Sequence, residues 1–187
     1  MKAAVVLLAD YKTQNFARRI LFELEQEYQI DYLASLLPAH VSLKQPFSFE
    51  NMETLENYFD LLATQIAPFK IQLNEIYYAE WSGYGILGVN VNETDTLRKL
   101  HVQLNRELSK LFTDTSAPHD GDGYKFHMTI EMGNVKKSNP FRTYYNKIKD
   151  KKLNLSFMAE HIALFYYTGE DHLSFINYKV LPLTGRQ

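Results

Sequence analysis

The apolar residues of this chain change period several times, and each change marks an element. Ala3 to Ala9 is a continuous apolar run, the pattern of a buried strand. Phe16, Ile20, Leu21, Leu24 and Tyr28 then recur at helical spacing and predict a helix from about Thr13 to Tyr28. A loop ended by Pro38 leads into the alternating stretch His40-Val41-Ser42-Leu43-Lys44-Gln45-Pro46-Phe47. A second helix starts near Asn51, carries Leu55, Tyr58, Phe59, Leu62 and Ile66, and stops at Pro68. Phe69 to Leu73 and Ile76 to Trp81 read as strand. The turn Ser82-Gly83-Tyr84-Gly85 and the strand Ile86 to Val91 complete a hairpin. Thr94 opens a long helix with Leu97, Leu100, Leu104, Leu108 and Leu111 on one stripe. The polar loop Thr113 to Gly123 follows, and then a second alternating stretch, Phe126-His127-Met128-Thr129-Ile130-Glu131. Asn139-Pro140 opens a short helix to about Ile148. Leu153 to Tyr167 is predicted to pair with His172 to Leu181 as a hairpin across residues 168–171.

This order contains a weak internal repeat. Each alternating histidine stretch is preceded by a helix and a proline-bearing loop, and followed by a helix and a pair of strands. The predicted fold is therefore α+β, a single domain over 1–187 built from two pseudo-symmetric lobes. Each lobe is an antiparallel sheet with helices packed outside, and a central cleft lies between them.

Within an extended strand, side chains alternate between faces. His40, Ser42 and Lys44 are then expected on one face, with Val41 and Leu43 on the other. His127, Thr129 and Glu131 likewise oppose Met128 and Ile130. Each strand has an apolar face for a core and a chemically capable face for a ligand.

Composition narrows the ligand. A net charge of −2 gives no broad basic surface of the kind a long nucleic-acid footprint needs, which leaves a short oligonucleotide, an RNA end or a small phosphoester. With no cysteine, disulfides, thiolate zinc sites and a cysteine nucleophile are excluded. The first apolar run is too short for a signal-peptide core and no stretch is long enough to span a membrane, so a cytoplasmic protein without membrane association is expected.

One histidine two residues before a hydroxyl is a common coincidence. His172/Ser174 is a third such pair, but it lacks the surrounding order and reads as a surface histidine at a turn exit. The other two share their context. His40-Val41-Ser42-Leu43 and His127-Met128-Thr129-Ile130 resemble the double H-x-(S/T)-x signature of the 2H phosphoesterase superfamily, which includes 2′-5′ RNA ligase-like proteins and 2′,3′-cyclic phosphodiesterases. Only these eight positions carry the resemblance at residue level. It implies a bilobal fold, metal-independent chemistry with no cofactor, and a nucleotide or RNA end carrying a cyclic or 2′-5′ phosphodiester as substrate. It casts His40 and His127 as catalytic, with Ser42 and Thr129 binding the phosphate. Ser42 replaces the usual threonine and keeps the hydroxyl. Glu131, an acid beside the second motif, would repel a phosphate unless it pairs with Lys44.

The chemistry is consistent with that implication. An imidazole titrates near 6.5, so two of them can serve as acid and base at neutral pH, and hydroxyls can donate to the charged phosphoryl oxygens. Lys44 is either a phosphate contact or the partner of Glu131. The rivals are RNA ligase-like or 3′-trimming activity at the same residues, a protein that binds nucleotides or RNA ends without turnover, and a His40/His127 metal site with His119 or Glu131 as third ligand. Asp120-Gly121-Asp122-Gly123 resembles the start of a calcium loop. Lys125 stands where that loop requires glycine, so a plain turn is expected. His101 and His161 read as structural. The loops Thr113 to Gly123 and Ser82 to Gly85 are expected to flank the cleft.

Overall fold

The computed structural model describes residues 1–28, 37–135, 139–169 and 174–186. The histidine at 172 lies outside them. The described residues form twelve elements: β1 (Lys2–Leu8), α1 (Tyr11–Tyr28), β2 (His40–Ser48), α2 (Met52–Gln65), β3 (Phe69–Trp81), β4 (Tyr84–Val91), α3 (Asp95–Leu111), β5 (His127–Asn134), α4 (Pro140–Ile148), β6 (Leu155–Ala159), β7 (His161–Tyr167) and β8 (Phe175–Pro182).

Each helix begins on the side chain that caps it. The carboxylate of Asp10 accepts from Thr13 N at 2.8 Å, Asn51 from Thr54 N at 2.9 Å, Thr94 from Leu97 N at 3.3 Å and Asn139 from Arg142 N at 2.9 Å. The helical stripes then go inward: Ala17, Ile20, Leu21 and Leu24 of α1, and Leu97, Leu100, Leu104 and Leu108 of α3, are buried.

All eight strands form one antiparallel sheet in the order β6-β3-β4-β5-β2-β1-β7-β8. The two lobes expected from the sequence are its halves, four strands each. They meet at β2 and β5, where the ladder consists of the single pair Val41↔Met128. The halves are related by connectivity: β1-α1-β2-α2 corresponds to β4-α3-β5-α4. The helices cross over, since α1 packs on β5 and α3 on β2.

One side of the sheet and the helices enclose the main core. The other side carries a smaller apolar patch, Ala4, Val6, Ala163 and Phe165, beside the first histidine.

The long strand predicted over Leu153 to Tyr167 is in fact two. Only Glu160 separates β6 from β7, yet five strands lie between them in the sheet order. A flat sheet would put them roughly 29 Å apart at about 4.8 Å per strand, against a reach of about 7 Å for the two steps from Ala159 to His161. The sheet therefore curls until its β6 edge meets the other half. The predicted hairpin is the pairing of β7 with β8.

Candidate functional site

The pair Val41↔Met128 fixes the register of both motifs. In an antiparallel ladder, residues on either side of a pair face each other, so His40 lies opposite Thr129 and Ser42 opposite His127. All four share one face of the sheet and are partly exposed, while Val41, Leu43 and Met128 are fully buried and Ile130 is 3% exposed on the other. The two imidazoles sit diagonally across the pair, a placement that separates residues by about 7–8 Å. The structure brings the four expected residues together.

Each imidazole is held in the same way. His40 Nδ1 is 2.8 Å from the carbonyl of Pro38, and His127 Nδ1 is 2.9 Å from the carbonyl of Lys125. A carbonyl can only accept, so in both rings Nδ1 carries the proton and Nε2 is left for a ligand. Burial and repulsion from His127 push the His40 pKa down to about 4, against a smaller upward effect of the Pro38 hydrogen bond. His40 is therefore a neutral imidazole with a lone pair on Nε2. Phe165 packs edge-on against its ring, with centroids 4.7 Å apart.

Gln14 fixes the residue before His40. Its amide spans the Ala39 backbone from both sides, accepting from Ala39 N at 2.7 Å and donating to Ala39 O at 2.9 Å. Arg98 does the corresponding work in the other half, donating to the carbonyls of Gly121 at 3.0 Å and Tyr124 at 2.6 Å ahead of His127.

Lys44 and Glu131 do not share the cleft face, which corrects the expected alternation. Ser42 pairs with Val6 and Lys44 with Val5, so β2 spends two residues where β1 spends one. Thr129 pairs with Gly88 and Glu131 with Leu87, the same two-for-one step in β5. Each motif strand thus carries a bulge after its fourth residue, and the bulge turns the fifth side chain to the helix side. Lys44 and Glu131 are both fully buried there.

Lys44 is not paired with Glu131 either. Its ammonium binds Asp120 and donates to Thr115 O at 2.7 Å. The turn at Asp120 is thereby tied to the first motif strand. His101 adds a second tie, with Nδ1 donating to Leu43 O at 2.8 Å and Nε2 accepting from Gly121 N at 3.1 Å. It is fully buried and stacked on Tyr124, in line with the structural role expected of it. Glu131 accepts from Met132 N and faces away from His127, so it is not placed to complete a metal site with the histidines.

Two site residues escaped the sequence reading. Tyr77 pairs with Gly88, and Gly88 with Thr129, so the three form one row across β3, β4 and β5. Gly88 has no side chain, and the Tyr77 ring lies over it. There its hydroxyl lies beside the Thr129 side chain and its ring is set edge-on to His127 at 5.9 Å. Burial pushes the phenol up to about 12, which keeps Tyr77 a neutral hydroxyl. The only local signal was a glycine inside a strand, which marks a close approach without saying of what.

The chain matches a known family. The profile of the 2′-5′ RNA ligase superfamily matches residues 13–171. The chain belongs to that superfamily. Among solved structures it is similar to a Thermus thermophilus protein, TT0787, with a TM-score of 0.69 and 14% identity over 100% of both chains. It is also similar to Usb1 of Kluyveromyces marxianus, at 0.59 and 14% over 97% of each chain, and to E. coli LigT complexed with 3′-AMP, at 0.59 and 13% over 98% of each. These likenesses show the 2H phosphoesterase fold. No curated protein sequence matches the chain. No helix among the described residues is long and apolar enough to cross a membrane.

Proposed function

We propose that this member of the 2′-5′ RNA ligase superfamily is a phosphoesterase that hydrolyses a 2′,3′-cyclic or 2′-5′ phosphodiester of a nucleotide or RNA end, by acid–base catalysis between His40 and His127 without a metal. Superfamily membership supports phosphoester chemistry in general. The observation that carries the finer reading is the matched pair of imidazoles, each bound through Nδ1 to a backbone carbonyl two residues upstream, on one face and diagonally across Val41–Met128. LigT and Usb1 have been crystallised with 3′-AMP and uridine monophosphate respectively, which favours a nucleotide ligand.

In this reading His40 is the base, in keeping with the burial that pushes its pKa below the ordinary histidine value. Its Nε2 takes a proton from water as the water oxygen bonds to phosphorus. The bond from phosphorus to the departing ribose oxygen breaks, and that oxygen receives the Nε2 proton of His127, which enters this step as the imidazolium and leaves it neutral, with Nδ1–H still on the Lys125 carbonyl. In this reading Ser42, Thr129 and Tyr77 donate to the non-bridging oxygens, where charge increases. Joining would be the same path in reverse.

The test is a product-resolved assay on 2′,3′-cyclic nucleotides and 2′-5′ oligoadenylates. His40→Ala and His127→Ala should each reduce turnover roughly 10²–10⁴-fold, and the double variant by less than the product of the two. No turnover of any of these substrates, or loss with EDTA that zinc restores, overturns the reading.

A further inference from the structure

Past His40 the ladder between β2 and β5 ends, and the chain leading into β2 diverges from β5. The opening is roofed by α1 and forms a cavity of about 240 Å³, with His40 and Thr129 at its edge. Its walls include Leu21, Leu37 and Ile130, and its polar side chains besides the two motif residues are Gln14 and Arg18. Sites for drug-sized ligands run roughly 300–1,000 Å³, so this space suits one ring system rather than a whole nucleotide. A larger cavity of about 610 Å³ between α1 and α4 touches neither motif strand.

The hydrogen-bonding character of the small cavity is one-sided. Apart from His40 Nε2 and the Thr129 hydroxyl at its edge, the acceptors of its Pro38–Ala39 and Gln14 wall are occupied: the Pro38 carbonyl by His40, the Ala39 carbonyl by Ala9 N at 3.0 Å and by Gln14, and the Gln14 oxygen by Ala39 N. Arg18 is exposed and has no hydrogen bond or ion pair among the described residues. Its guanidinium is a fork of donors with no acceptor. The cavity is thus a largely apolar slot with Arg18 in its lining, and it reaches the two-histidine face at His40 and Thr129.

We propose that this cavity holds the base of the substrate, and that Arg18 selects guanine. Apolar walls accept the faces of a heterocycle. Two adjacent acceptors on one edge, guanine O6 and N7, match the fork bidentately. Adenine puts an amine beside N7, and cytosine puts one on the same edge, which would set donor against donor and leave both unsatisfied. The proposal rests on the two-histidine phosphoesterase reading and adds the identity of the nucleoside.

Measuring kcat/KM for the 2′,3′-cyclic phosphates of guanosine, adenosine, cytidine and uridine, with wild type and Arg18→Ala, separates the two. Wild type should prefer guanosine over adenosine and cytidine by roughly 5- to 100-fold, the worth of one bidentate pair. Arg18→Ala should lose that preference, its rate on guanosine falling further than its rate on adenosine or cytidine, and should melt as wild type does, since Arg18 is exposed. Turnover with no guanosine preference, or a preference that survives Arg18→Ala, overturns the assignment and leaves the phosphoesterase reading standing. Absence of turnover on all four, with 2′-5′ substrates also inert, overturns that reading instead.

Discussion

The ring of Tyr77 fills the place where a side chain at Gly88 would stand: a Cβ at position 88 would sit 2.6 Å from Tyr77 Cε1. The absence of one side chain on β4 lets a residue of β3 reach the Thr129 hydroxyl on β5. Gly88→Ala should push the ring off Thr129 and His127. Overpacking of this kind costs about 1–3 kcal/mol of stability. Activity should fall by more than Tyr77→Phe causes, because that variant loses only one hydrogen bond, worth a factor of roughly 2–10. Steady-state rates beside urea melts of both variants check this, and wild-type rates in Gly88→Ala would contradict the placement of Tyr77 in the site.

The pH dependence follows from His40. Its folded pKa lies below the ordinary value of 6.5, at about 4, chiefly through burial. The active form of a base is the neutral one. The acid limb of kcat/KM, which reports the free enzyme, should therefore bend near 4 and not near 6.5. The sign for stability is the same. Between those values the unfolded chain binds the extra proton, so this contribution is complete above about 6.5 and is lost as pH falls toward 4. A rate profile and a ring titration by NMR would show it. An acid limb near 6.5 that persists in a His127 variant would remove His40 from the role of base.

Much of this arrangement was legible in the chain. The alternation around His40 and His127 identified the four cleft residues, because the side-chain period of a strand is a local property. The caps Asn51, Thr94 and Asn139 marked three helix starts for the same reason. Asp10 was not recognised as a cap, so α1 was read two residues short.

The failures share a cause, which is dependence on a neighbour. The bulges that turn Lys44 and Glu131 off the cleft face exist only in the pairing with β1 and β4. The division at Glu160 reflects which strands lie beside β6 and β7, and no turn residue marks it. Arg18 and Gln14 sit on a helix stripe that reads as amphipathic. Their closeness to His40 depends on α1 crossing to the other half of the sheet.

Lys44 offers a direct comparison of the sequence expectation with the structure. Were it a phosphate contact, Lys44→Met would weaken substrate binding in a stable protein. Its side chain is instead fully buried against Asp120, which is 9% exposed. Removing the ammonium strands a buried carboxylate, a change that costs about 3–5 kcal/mol. Lys44→Met should lower the urea midpoint sharply while kcat/KM of the folded fraction changes little. Lys44→Met with Asp120→Leu should recover much of the stability, because replacing a whole buried pair is close to neutral. A stable single variant with raised KM would restore the phosphate-contact role.

Gln14 tests whether the base is positioned from outside the motif. Its amide makes two hydrogen bonds to Ala39, the residue before His40, as a neighbouring strand would. Beyond this point β2 has no ladder partner on the β5 side, so the lead-in to His40 depends on that amide and on the bond from Ala9 N. Gln14→Leu keeps the bulk of the side chain but removes both bonds, and each is worth about 0.5–1.5 kcal/mol. Part of that loss should appear as a lower melting temperature. The rest should appear as freedom of the His40 ring, which lowers kcat more than it raises KM, since the phosphate is held chiefly by the hydroxyls. A looser ring is also better hydrated, and hydration relieves the main cause of its depressed pKa. The acid limb of the rate profile should therefore move up from about 4 toward the ordinary histidine range. A purely structural role would lower stability and leave the limb where it is. Gln14→Glu keeps an acceptor for Ala39 N but puts a carboxylate against the Ala39 carbonyl, so it should rescue the protein only in part, and best at acid pH, where the carboxyl can donate. An unmoved acid limb in Gln14→Leu would show that His40 is held by Pro38 and Phe165 alone.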